Sequence, residues 1–153
     1  MRHFLVSLVA PGLFVLVLAS CDSSSNSGEP LVPYAPVNLA LDLTNQQYRA
    51  LRLDNGVVAL PVQGPAGTGG VKGVLIVRQN ANTYLAFERN CPYHPYDACS
   101  LVDLDRSSRL FLRDSCCDSR FNFAGQVIGG PAVRPLLQYR TSLQGTQLTV
   151  FNP

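Results

Sequence analysis

The chain has 153 residues, room for about one domain, and its 12 Gly and 11 Pro, 14% charged residues and complete lack of Trp argue for a turn-rich β domain and against a helical bundle. The formal net charge is +2, Lys72 is the single lysine and the arginines are scattered. No clustered basic stripe exists, which excludes nucleic-acid binding as a class.

The chain opens on "MRHFLVSLVAPGLFVLVLASC", a basic start at Arg2 and an apolar run from Phe4 to Leu18. The run is too short for a comfortable membrane span and has the layout of a secretory signal. Its end, Leu18-Ala19-Ser20-Cys21, resembles the bacterial lipoprotein cleavage box, in which the cysteine is lipidated and becomes the mature N-terminus. Residues 1–20 are therefore expected to be a signal peptide, with His3 discarded, and Cys21 a lipid anchor that places the protein on a membrane of the bacterial envelope, outside the cytoplasm. Cleavage takes away Arg2 and no acidic residue, leaving a nearly neutral domain. Residues 21–36 include "DSSSNSGEPLVPYAP", a Ser- and Pro-rich segment that buries too little apolar surface to order itself and reads as a flexible tether.

From Val37 the pattern changes to short apolar runs separated by turns, so residues 37–153 form the expected domain. "VNLALDL" (37–43) alternates like a half-buried strand, and "YRALRL" (48–53) is a weaker strand candidate. Asp54-Asn55-Gly56 is a hairpin signal, because Asn and Gly tolerate positive φ, and "VVALPV" (57–62) follows it. "GPAGTGG" (64–70) lacks the Gly-Lys-Ser/Thr ending of a phosphate cradle and reads as a plain loop between strands. Next come "VKGVLIVRQ" (71–79), a turn at Asn80-Ala81-Asn82, and "TYLAFER" (83–89). "LFLRD" (110–114), "RFNF" (120–123) and the closing pair "LLQYRTSL" and "TQLTVF" across Gln144-Gly145 complete the set. No window sustains a helical period, which predicts an antiparallel all-β sandwich or small barrel.

Besides Cys21, four cysteines remain, Cys91, Cys99, Cys116 and Cys117, in two groups that each follow a predicted strand. Cys91 and Cys99 share "RNCPYHPYDAC" (89–99) with His94, the one histidine of the mature chain.

From Val71 to Phe151 the sequence resembles the Rieske iron–sulfur family. The matching text is "NCPYH" (90–94), "DSCCDSRFN" (114–122), "AGQVIGGPA" (124–132), "RPLLQY" (134–139) and the hairpin "LQGTQLTV" (143–150), with Ser119, Phe121, Gly125, Gly129, Gly130-Pro131-Ala132, Pro135-Leu136 and Tyr139 falling in order. The resemblance implies an antiparallel β-sandwich with a small two-loop subdomain of the kind that carries a [2Fe–2S] cluster. It also places Cys91 at a ligand cysteine, Tyr93 at the first ligand histidine with His94 one place late, Asp114 at the second ligand cysteine and Cys117 at the second ligand histidine. A Rieske centre needs two cysteines on one iron and two histidines on the other. A mature chain with one histidine does not supply that set.

Three readings of the cysteines stay open. Cys91, His94, Cys116 and Cys117, with Cys99 in reserve, offer a non-standard centre of three cysteines and one histidine for [2Fe–2S] or Zn²⁺. Outside the cytoplasm the four cysteines are expected to be oxidised and no cofactor bound. Cys91 and His94 have the generic spacing of a nucleophile–base pair, with no orienting acid evident. For the disulfide reading, the resemblance implies Cys99 with Cys116, which leaves Cys91 with Cys117 and converts a cluster loop into a clamp. Tyr93 and Tyr96 then cover the loop tip or offer a contact surface. The functional expectation is a membrane-anchored module that binds an envelope partner, or else, if redox-active, an electron carrier and not a hydrolase or transferase.

Overall fold

Residues 31–62 and 69–153 are described by a computed structural model, and strands form there where apolar and polar side chains alternate. The expected signal peptide, Cys21, most of the tether and most of the Gly-rich loop lie outside the described residues. The strands are β1 (Asn38–Asp42), β2 (Val57–Leu60), β3 (Val74–Asn80), β4 (Thr83–Glu88), β5 (Val102–Leu104), β6 (Leu112–Asp114), β7 (Arg120–Phe121), β8 (Val127–Gly129), β9 (Gln138–Gln144) and β10 (Gln147–Phe151). Two antiparallel sheets result, one of six strands in the order β1-β10-β9-β4-β3-β2 and one of four in the order β5-β6-β7-β8. This is the antiparallel all-β arrangement expected, a large sheet with a small one that carries the two cysteine loops.

The run Val74-Leu75-Ile76-Val77 explains how the sheets are joined. A strand with water on one face alternates, whereas a strand buried on both reads as a continuous apolar stretch. Val74 and Ile76 point into a core with Leu39, Leu41, Leu60, Ala86, Leu148 and Val150. Leu75 and Val77 point the other way, into a second core with Phe87, Cys91, Val102, Leu112 and Phe121. The first core belongs to the large sheet and the segment that covers it. The second lies between that sheet and the small one, and Cys91 is part of it.

The structure corrects two local expectations. "YRALRL" is not a strand: Gln46–Arg52 form a 3₁₀ helix, with Tyr48 and Leu51 buried. Those two residues are three apart, and three residues make one 3₁₀ turn, so both fall on the face that covers the first core. Asp54-Asn55-Gly56 is consequently not a hairpin turn but the link from this helix to β2, with Asn55 at φ 61 and the Gly56 amide donating to the Leu53 carbonyl. The three-residue strands β5 and β8 were not expected from the sequence; both are too short to show a period.

Gly130, in the Gly-Gly-Pro-Ala run, sits at φ +85, and a Cβ there would come within 2.5 Å of the Ser119 Cα. The absence of a side chain lets this segment lie directly against the second cysteine loop.

Candidate functional site

The two loops that meet at the small subdomain are residues 89–101, between β4 and β5, and residues 115–119, between β6 and β7. The first leaves β4 at Glu88, which is fully buried. One Glu88 oxygen accepts from the Val71 amide (2.6 Å) and the Tyr139 hydroxyl (2.7 Å), and the other from the amides of Lys72 (3.0 Å) and Asn90 (2.9 Å). Burial, and then the hydrogen bond to Glu88, push the Tyr139 phenol well above its ordinary range. The Lys72 ammonium donates to the carbonyls of Asp97 and Ser100 and so ties the far side of the loop back to the large sheet.

The second loop is a tight turn in which the Asp114 amide donates to the Ser119 carbonyl and the Asp118 amide to the Asp114 carbonyl, both at 2.9 Å. Asp118 occupies the left-handed region at φ 64, and Arg113 pairs with its carboxylate. The Cys99–Cys116 disulfide joins the loops. Cys116 is therefore unavailable as a ligand, and the four-ligand set Cys91, His94, Cys116 and Cys117 is not assembled.

Cys91 and Cys117 are thiols whose sulfurs face each other at 3.9 Å, Cys91 fully buried and Cys117 half-buried. The geometry adds a group that was not counted as a donor in the sequence, Asp114, which is also fully buried. Its Oδ2 lies 3.4 Å from the Cys117 sulfur, and its Oδ1 accepts from the amides of Cys116 (2.7 Å) and Leu101 (3.5 Å). The donor atoms of Cys91, Asp114 and Cys117 all lie within 4.8 Å of one another. Ser119 Oγ stands 3.0 Å from the Cys117 sulfur and accepts from the Ala132 amide at 3.1 Å. Burial above all pushes the Cys91 thiol far above its ordinary range, with Asp114 and Cys117 adding to it.

His94 is placed differently. It adopts φ 53, its ring stacks on Tyr93 with centroids 4.1 Å apart, and its exposed Nδ1 lies 3.5 Å from an Asp97 carboxylate oxygen. Among the described residues no hydrogen bond joins it to Cys91, so the nucleophile–base pair is not formed. Tyr93 packs against the second core, while Tyr96 is 74% exposed at the loop tip.

A Rieske cluster does not fit this donor set. Cys91 and Cys117 stand at positions that the family pattern gives to different irons, yet their sulfurs face each other at 3.9 Å, the separation of two thiolates on one and the same ion. The second imidazole is lacking, and the acid that replaces a ligand cysteine, Asp114, converges on the same point as the two sulfurs. What the arrangement can do is hold a single cation or close a second disulfide.

No family model and no curated protein matches the chain. Among solved structures the chain is similar to the cyanobacterial plasma membrane Rieske protein PetC3 from Synechocystis PCC 6803, with 22% sequence identity and a TM-score of 0.48 over 76% of this chain and 98% of that one.

Proposed function

We propose that this protein is a lipid-tethered domain of the bacterial envelope that keeps a Rieske-like architecture without its His2Cys2 [2Fe–2S] cluster and uses the two-loop tip as a binding module. The observation that supports this reading is the donor set: Cys91, Asp114 and Cys117 converge at the tip, and His94, the one histidine among the described residues, is exposed beside Asp97, so the two imidazoles of a His2Cys2 centre are not supplied there. The Cys99–Cys116 bridge holds the loops together, as a cluster would. Tyr96, 74% exposed at the tip, offers the kind of aromatic contact that protein partners use.

Two measurements test it. The protein purified from envelopes is expected to be colourless, without the visible absorption of an iron–sulfur chromophore; a red-brown protein with stoichiometric iron would establish the electron-carrier reading instead. Cys21→Ser is expected to abolish lipidation and move the protein from the membrane to the soluble fraction. If the variant stays membrane-bound to the same extent, the tether is not a lipid anchor.

A further inference from the structure

We propose that Cys91, Asp114 and Cys117 form a mononuclear site for a thiophilic divalent cation of the zinc class, with a fourth position open to the cavity lined by Tyr93, His94 and Pro131. The inference rests on the cluster-free reading of the tip and names the ligand that the tip takes.

The distances match a single tetrahedral ion. Two thiolates about 2.3 Å from Zn²⁺ at the tetrahedral angle stand about 3.8 Å apart, and a thiolate and a carboxylate oxygen about 3.5 Å apart. The sulfurs of Cys91 and Cys117 are 3.9 Å apart, and the Cys117 sulfur lies 3.4 Å from Asp114 Oδ2.

Asp114 is the residue that a plain disulfide leaves without a purpose. Oδ1 of this buried carboxylate has its two backbone amides, while Oδ2 is turned toward the sulfurs, 3.4 Å from that of Cys117, with the Cys91 thiol also interacting with the carboxylate. A buried carboxylate facing two thiols is costly unless a cation stands between them. The amides that hold Oδ1 fix the direction of Oδ2, as an outer shell does for a metal ligand, and Ser119, itself held by the Ala132 amide, has its hydroxyl against the Cys117 sulfur.

Two thiolates and a carboxylate leave one net negative charge around Zn²⁺. The Lys72 ammonium is held on the carbonyls of Asp97 and Ser100, and those two residues line the same cavity of about 340 Å³ as Asp114 and Cys117. Three protein ligands with an open fourth position are the arrangement of zinc sites that bind water or an exchangeable ligand. Cys116 is bridged, so it does not fill that position.

The test uses the full chain as isolated from envelopes, stripped of metal by a chelator and titrated with Zn²⁺ or Co²⁺, each variant first compared with wild type by circular dichroism. One equivalent of Zn²⁺ is expected to bind and shield both thiols from a thiol reagent, and Co²⁺ to give a near-ultraviolet thiolate charge-transfer band. Cys117→Ser, at a half-buried position that tolerates the change, is expected to weaken binding by about 100-fold or more and reduce that band. Asp114→Asn is expected to weaken binding by about 10–100-fold while the band remains. The proposal is overturned if peptide mapping finds Cys91 bonded to Cys117 in the isolated protein, if the free thiols bind no metal, or if Cys117→Ser binds as tightly as wild type. An iron–sulfur chromophore would instead sink the cluster-free reading on which it rests, so the two failures are told apart by colour and iron content.

Discussion

Glu88→Ala is expected to cost about 3–5 kcal/mol and lower the melting temperature by roughly 10–20 °C, more than any surface substitution in this chain. The side chain is fully buried at the end of β4 and accepts from four donors, the amides of Val71, Lys72 and Asn90 and the Tyr139 hydroxyl, at 2.6 to 3.0 Å. Truncation removes every acceptor at once and leaves donors facing an apolar void, and each unsatisfied group adds about 1–3 kcal/mol, partly relieved by water. Gly70 shows how closely the chain is fitted there: a Cβ on it would come within 2.5 Å of a Glu88 oxygen, at a backbone φ of +78. Glu88→Gln is a sharper probe, because its volume is preserved while one oxygen becomes an NH₂ group. Whichever way the amide turns, a backbone N–H meets that NH₂ group, so the glutamine variant is also expected to melt below wild type, by less than the alanine variant. Thermal melts followed by circular dichroism check both, and a wild-type melt for Glu88→Ala would mean that the network is not what anchors the loop.

Glu88 also shows what could be read from the sequence and what could not. Along "TYLAFE", Tyr84, Ala86 and Glu88 share one strand face, so the period of two puts an acid in phase with core positions. That signal was available, but the partners were not: Val71 and Lys72 come from an earlier loop and Tyr139 from a strand 51 residues away. The large sheet was readable for the same local reason, since β1, β3, β4, β9 and β10 are long enough for alternation or a continuous apolar run to appear. The 3₁₀ helix was misread because six residues with apolar groups at Tyr48, Leu51 and Leu53 satisfy a strand pattern about as well as a three-residue turn.

At the tip, the cysteine spacing announced two loops, and the structure brings those loops together. The sequence could not rank the uses of four sulfurs, because that depends on which ones face each other once the turns are made. Cys116 and Cys117 are adjacent in the chain but turn to different partners, Cys116 to Cys99 and Cys117 to Cys91 and Asp114. Asp114 was passed over because a carboxylate at a cysteine position reads as the loss of a ligand. In space it is the third donor. His94, the one histidine among the described residues, drew attention by its rarity, and the backbone turns it toward Asp97.

Removing the Cys99–Cys116 bridge by the double substitution Cys99→Ala and Cys116→Ala is expected to cost about 3 kcal/mol, mainly through the freedom returned to an unfolded chain with no 17-residue closure. The effect should be confined to the tip. The first core, from Val37 and Leu39 to Leu148 and Val150, belongs to the large sheet and the 3₁₀ helix and contains no residue of either cysteine loop. The small sheet is held by strands of two or three residues and by the second core, whose residues Leu112 and Phe121 lean on Leu75 and Phe87. With the staple gone, the first loop keeps the Lys72 bonds to Asp97 and Ser100, while the second loop keeps its own turn, the Asp114 contact to Leu101 and the bond from the Ala132 amide to Ser119. Limited proteolysis should therefore cut first within residues 90–130, and amide exchange should speed up there while β1, β9 and β10 stay protected. If the double variant melts and cuts like wild type, the bridge is not a structural staple. If the whole chain unfolds in a single step at the lower temperature, the large sheet does not stand without the tip.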